Sequence, residues 1–594
     1  MLKMVRQQMI CIIAPRWSDV LMDFSNTGDV YPALKSLFGN VEVVQFASIA
    51  LLPARADSPD QRPSLMLELA IEEGIDPRDM LYRLVNHPSG AMWTLFSSYW
   101  PDGGPAFESE RNEQLLKRLM EWLSIADGGF IGARDRTARQ IQQEQDLLKW
   151  TRREARALKA TKQYGADRAS FAIEIARRAF QDPQFEWAFE PAPRSYWRGS
   201  GASISAKVGY VLVVFCLWLA AVWLVSALLG GLIRVCAWLF DLPRSTVEPA
   251  MDASYWVLCA SIRGAIALIV LGLLWWLFLT GLPALSARWR HWLDNVYREL
   301  ERPTQTQSSS RTYVLCWIFG VPLVLALLAC ALVFTICPGV ILSTVFALKV
   351  LVVTGVLAIA ALICVAVDRS DRRLAQDRKG SFDPHEDDVP RAQQVHPSID
   401  FCEAILAKKR VAHMVSLTDI RNPNGWSAWW IRVSLLIVTL FGRVFFTAGR
   451  LGDAPGIHFG HWHIIEGGRR YLFCSNYDGN FGGYLDDFIN GATIGTTLAW
   501  RWTTLMPRRS AVFDQPEVKE PRSFPPTRFA IFRGVKCEMK FKSYARDSML
   551  PHLYRFEAHN ATIDQIDLAT ALRDALFGER NDKNDDLIMR AIES

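Results

Sequence analysis

Apolar positions along the chain fall into three regimes. Up to about residue 135, and again from about residue 406, short apolar runs of strand character alternate with amphipathic stretches at helical spacing. Between residues 208 and 367 they merge into four long, nearly uninterrupted blocks. The first regime predicts a strand at QMICIIA, a short helix over 30–38, strands over 41–54 and 64–72, and a helix over 76–95. After an inserted helix, GGFIGARD near Gly128 gives a fourth strand. The last regime repeats that order. RVAHMVSLTDI from Arg410 reads as a strand, and SAWWIRVSLLIVTLFGRVFFTAG as an apolar helix. Strands over 456–465 and 470–477 are joined by the turn Glu466-Gly467-Gly468, residues 482–500 form a helix, and TRFAIFRGV from Thr527 closes the set. Strand, helix, hairpin, helix, strand is the order of a ferredoxin-like βαββαβ unit.

The expected fold class is therefore α+β: two ferredoxin-like βαββαβ units forming an α/β barrel, interrupted by a four-helix transmembrane block. The domains read as 1–135 for the first unit, 136–204 for a charged, solvated helical connector, and 205–368 for the membrane block. Residues 369–405 are a charged linker, and 406–594 the second unit with a C-terminal helix. The four spans, over 208–231, 265–285, 313–336 and 339–367, each meet the roughly 20 apolar residues needed to cross a bilayer. Loop charge orients them: Arg288, Arg290, Arg298, Arg302 and Arg311 lie between the second and third, and Arg369, Arg372, Arg373, Arg378 and Lys379 follow the fourth. Both termini are then cytoplasmic. Residues 428–449 are a weaker fifth candidate, interrupted by Arg432 and Arg443, and read better as a helix lying on a sheet or a bilayer surface.

Composition agrees with that picture and narrows the chemistry. Half of the 594 residues are apolar and 21% are charged. A net charge of +5 is too weak and dispersed for nucleic-acid binding. Eleven cysteines form no CxxC pair, and Cys216, Cys259, Cys316, Cys330 and Cys364 lie in or beside apolar runs as small hydrophobes. There is no P-loop, dinucleotide fingerprint, GxSxG or HExxH, so the sequence leaves open whether the protein is an enzyme.

IHFGHWHIIEGGRRYLFCSNYDGNFGGYLDDFI, with FPPTRFAIF downstream, resembles a group of uncharacterised bacterial membrane proteins with a duplicated ferredoxin-like domain of the dimeric α/β-barrel type. The resemblance covers about the last 190 residues and, loosely, about the first 140, and does not extend to the membrane block. Together with the four spans and their loop charge, the expectation is a multi-pass protein of the bacterial inner membrane, with the lipid bilayer as partner and a small hydrophobic or planar ligand in the barrel. His461 stands where that pattern has Arg. A more distant similarity reaches dye-decolourising-peroxidase-like barrels, whose GxxDG motif would need Gly at Ser475; haem is the cofactor that this implies.

Histidines are the concentrated catalytic-type groups. Strand alternation puts His461 and His463 on one face, about 7 Å apart, and His458 on the other with Trp462. A histidine pair without acidic partners is a weak metal signature, and no metal site is assigned. His458, His461 and Asp478 are the candidate catalytic groups, one of the histidines as axial haem ligand or pocket base and Asp478 as pocket acid, and His463 and Arg528 the candidate cofactor contacts. Asp478-Gly479 is also ordinary turn and cap chemistry. The first copy offers Phe46, Ser48 and Glu68 at the matching places, which makes it the structural partner of the second. Three functions stay open: a membrane protein binding a small ligand in a cytoplasmic barrel, a haem-dependent peroxidase-like oxidoreductase, and a non-catalytic membrane scaffold.

Overall fold

Strand β3 (Ser64–Ile71) is apolar on both faces because both are covered. Leu65, Leu67 and Leu69 pack under helices, while Met66 and Ala70 face a second sheet. The same holds for β1 (Met9–Ala14) and β2 (Val44–Leu52), which flank β3 in antiparallel register. With β4 (Leu123–Ile125) and β12 (His552–Glu557) they make a five-stranded sheet of order β12-β2-β3-β1-β4. The second sheet holds β5 (Gly128–Ile131), β6 (Val411–Ile420), β7 (Ile457–Ile465), β8 (Arg470–Asp478), β9 (Thr503–Leu505) and β10 (Arg522–Ser523) in the order β10-β9-β6-β8-β7-β5, with β11 (Met549–Leu550) on β6. This computed structural model describes residues 8–15, 30–55, 63–72, 74–97, 107–133, 136–161, 168–190, 390, 410–444, 456–490, 493–508, 518, 521–525, 538–578 and 581–593. They belong to one unit drawn from Met1–Lys207 and Asp371–Ser594.

Each sheet takes a strand from the other half of the chain. β12 pairs with β2, and β5 pairs with β7, where Gly129 lies opposite His461. The two inner faces then close on each other. Ala50, Leu52 and Met66 meet Val415, Leu417, Leu472 and Leu550, and Met9 and Phe46 meet Val411 and Phe459. Burying a side chain of that size contributes about 1.5–3 kcal/mol, so the inter-sheet layer is a main part of the fold's stability. A diglycine sets the outer approach. A Cβ on Gly128 would lie 2.9 Å from Leu435 Cβ, so only glycine lets the Trp426–Val444 helix come this close to β5. Gly129 makes room for Met9, whose Cε would sit 2.1 Å from an added Cβ.

These observations correct the expected fold class. No helix among the described residues is long and apolar enough to cross a membrane, and the four predicted spans lie outside the described residues. What the structure carries is a mixed α/β arrangement of two antiparallel sheets. The four-helix membrane block, the multi-pass inner-membrane location and the membrane-protein function are withdrawn with it. The two repeats are also not separate units, because neither half completes its own sheet. The fifth candidate span is the Trp426–Val444 helix, whose Ala428, Ile431, Leu435 and Val438 pack into the core on the second sheet's outer face. It is the helix lying on a sheet that the sequence favoured, with Trp429, Trp430 and Leu436 left exposed on its other side.

Smaller departures have local causes. The helix expected over 76–95 is two, Pro77–Val85 and Ala91–Phe96, separated around His87-Pro88. Asp76 caps the first by accepting from Arg78 N at 2.8 Å, with Pro77 at the first helical position. The strand expected from Thr527 lies outside the described residues, and β9 occupies the place beside β6. The supposed solvated connector is packed: the helices Ala138–Thr161 and Arg168–Gln181 share an apolar core with Ile563–Phe577 and Asp582–Glu593. A Thr562–Gln565 capping box starts the third of these.

Candidate metal centre

Polar side chains interrupt the apolar layer between the sheets around Glu68. On the first sheet Cys11, Glu68 and Ser48 lie side by side, since Glu68 is the register partner of both Cys11 and Ser48. On the second, His461 is opposite Cys474 on β8, and His413 is opposite Asn476. His463 follows two residues after His461 on the same inner face. None of Cys11, Glu68, His413, His461, His463 and Cys474 is more than 3% exposed. Strand alternation places all of them inward, and face-to-face packing brings them together.

Glu68 is the hub. His461 Nε2 donates to its Oε1 at 2.8 Å, Ser48 Oγ donates to Oε2, and His413 Nε2 approaches Oε2 at 2.9 Å. Burial raises the carboxyl's pKa, but the charge and close approach of His413 and the hydrogen bond from His461 outweigh it and hold Glu68 well below the usual carboxylate range. The contact from His413 is close but off-line: Nε2 makes no well-aligned hydrogen bond, while Nδ1 donates to Ser475 O at 3.0 Å. His413 Nδ1 is thereby anchored, and its other nitrogen is turned into the centre.

A second arm runs from His461 Nδ1 to His463 Nε2 at 2.9 Å and from His463 Nδ1 to Ser124 Oγ at 3.0 Å. With Glu68 ionised, one neutral assignment satisfies every member: Ser124 donates to His463, His463 to His461, and His461 to Glu68. Cys11 Sγ lies 3.5 Å from His463 Nε2. Cys11 and Cys474 hydrogen-bond to each other across the gap, and burial raises both thiols, Cys474 the more strongly. Two triples bring their ligand atoms within 4.8 Å of one another: Cys11, His461 and His463, and Glu68, His461 and Cys474. Thiolate, imidazole and carboxylate at such spacing are the donors of a borderline-soft divalent ion.

The sequence-predicted residues divide between two places. His461 and His463 are in the centre. His458 is not on the opposite face with Trp462, as strand alternation predicts. A bulge between Ile457 and Phe459 turns it inward, where its ring meets Phe46 and His559, while Trp462 packs outward on Phe473 and Trp500. His458 Nε2 donates to Asp478 Oδ1 at 2.8 Å, and Asp478 Oδ2 accepts from Ile563 N at 2.9 Å. Asp478 therefore ties β8 to the start of the Ile563–Phe577 helix, with glycine required at 456 because its Cβ would lie 2.8 Å from Asp478 Cβ. That is the turn-and-cap role rather than a pocket acid. Asp486 pairs with Lys542 at 2.7 Å, and Arg528 lies outside the described residues.

Haem does not fit these residues. The rings of His458 and His461 are held by carboxylates, and the inner faces around them meet in continuous side-chain contact. The same contact fills the interior in which a small hydrophobic or planar ligand was expected.

Sequence reasoning missed Cys11, Ser124, His413 and Cys474, and placed Glu68 in the structural partner rather than the site. One signal was present: a lone Glu inside SLMLELAI, a run too apolar for a solvated face, demands a buried partner. No family model, no curated protein and no solved structure matches this chain.

Proposed function

We propose that this is a metal-binding protein whose ion lies between the two sheets on Cys11 Sγ, His463 Nε2 and His461 Nδ1. The observation that carries the reading is the convergence of a thiol from one sheet and two imidazoles from the other, fully buried and within 4.8 Å. A Cys–His donor set suits zinc(II) among abundant cations. His463 is oriented for this by Ser124, whose hydroxyl occupies Nδ1 and leaves Nε2 facing inward. Zinc on these atoms displaces the Cys11 thiol proton, while the His463 ring proton moves from Nε2 to Nδ1 and is donated to Ser124 Oγ.

The centre is closed, with ligands at most 1% exposed, so it matches a structural ion better than a hydrolytic one, which needs an open position. Its work is to clamp the two sheets, and with them the two halves of the chain. Elemental analysis of purified protein tests this. At least one zinc per chain is expected, with one ion fewer than the wild type in each of Cys11→Ser and His463→Ala, and a lower unfolding midpoint after chelation of the wild type. Metal-free protein that neither takes up zinc nor gains stability from it would leave only a hydrogen-bonded pin.

A further inference from the structure

His461 is the one residue common to both triples, and it shows a different nitrogen to each. Nδ1 faces His463 Nε2 at 2.9 Å beside Cys11, and Nε2 faces Glu68 Oε1 at 2.8 Å on the side of Cys474. One ion cannot sit on both nitrogens, because they lie on opposite edges of a rigid ring. We infer that His461 bridges two cation sites: the first on Cys11, His463 and His461 Nδ1, the second on Glu68, Cys474 and His461 Nε2.

The inference rests on the proposed metal-binding function and adds to it a second ion. A further imidazole borders the second site through Glu68. His413 Nε2 is buried, lies 2.9 Å from Glu68 Oε2 without hydrogen-bond alignment, and belongs to a ring anchored through Nδ1 on Ser475 O. A buried nitrogen aimed at a carboxylate but not bonded to it is the arrangement expected where a cation belongs between the two. Charge also favours it. A second divalent ion meets Glu68 and the Cys474 thiolate, so the site neutralises its own charge inside an apolar layer. Metal–nitrogen bonds of about 2.0–2.1 Å on either edge of the ring put the two ions about 6 Å apart. On loading, the Cys11 and Cys474 thiol protons and the single ring proton of His461 leave to solvent, so that His461 bridges as an imidazolate, while the His463 ring proton moves to Nδ1 and is donated to Ser124 Oγ.

The two sites have private ligands, which makes the inference separable from the reading beneath it. The full chain is stripped with chelator, reloaded with zinc(II), and its zinc content measured after gel filtration. Two ions per chain are expected in the wild type and one in each of His463→Ala and Cys474→Ser. His461→Gln should weaken both sites at least 10-fold. In cadmium-113-loaded wild type, two resonances are expected, of which Cys474→Ser removes one. That spectrum needs no variant at His461, so it decides the matter even if His461→Gln does not fold. One ion per chain that persists in Cys474→Ser overturns the bridge and leaves the single-ion function standing. No bound ion in any protein overturns both.

Discussion

Replacing Glu68 by Gln keeps the shape of the hub and removes its charge. The carboxylate is 1% exposed and holds His461 at 2.8 Å, His413 at 2.9 Å and Ser48 by a short hydrogen bond. If it were one neutral hydrogen-bonding group among others, the loss would be about 1 kcal/mol. An ionised carboxylate facing imidazole charge in a dry layer is different. Removing one partner of a buried pair costs about 3–5 kcal/mol, because the group left behind is uncompensated. The depressed pKa of Glu68 puts it in the second class. We therefore expect Glu68→Gln to destabilise the metal-free unit by about 3–5 kcal/mol at pH 7. Hydrogen exchange of the β3 and β7 amides in chelator-treated protein reads this, following the opening of this unit alone. The triple variant Glu68→Leu, His413→Leu, His461→Leu should recover much of the loss, since an apolar set of similar volume strands no charge. A loss below about 1 kcal/mol in Glu68→Gln would show that Glu68 is not the ionised centre of the network.

Three further outcomes follow from other parts of the fold. Burial, with the charge of His458 beside it, pushes His559 down to about 3, so the native state takes its proton only there while the unfolded chain takes it near 6.5. The unfolded state binds more protons across that window, so stability falls as pH drops from about 6.5 toward 3, by up to about 1.4 kcal/mol per pH unit, and urea midpoints of His559→Phe should fall less steeply. Gly128→Val drives a side chain into Leu435 and should cost about 1–3 kcal/mol, read as a lower thermal midpoint that Gly128→Ala shows in part. Because β5 and β12 each complete the other half's sheet, fragments 1–207 and 371–594 should be unfolded by circular dichroism when made separately and form a 1:1 complex when coexpressed. Independent folding of either fragment would contradict the strand exchange.

Several local elements could be read directly from residue pattern. The 456–478 hairpin is an example: alternating apolar positions flank Glu466-Gly467-Gly468, and all three of these residues adopt positive φ. GGFI was recognisable as a strand, but its partner was not. Pairing is a choice among all available edges, and β5 goes to β7 because the diglycine admits the Trp426–Val444 helix there. The histidines stood out by composition, whereas the direction of His458 did not, since one bulged residue reverses the alternation from which faces are inferred.

The sequence by itself located several strands and helices to within a few residues, and put His461 and His463 on one face. Those are properties of neighbours within a few residues, set by side-chain periodicity and turn chemistry. Tertiary structure alone decided that Glu68 meets His461 and Cys11 meets His463, across 393 and 452 residues of chain. A glutamate in an apolar strand announces only that it needs a partner. Which partner it receives depends on how two sheets settle face to face, and that is fixed by the whole inter-sheet layer at once rather than by any segment of it.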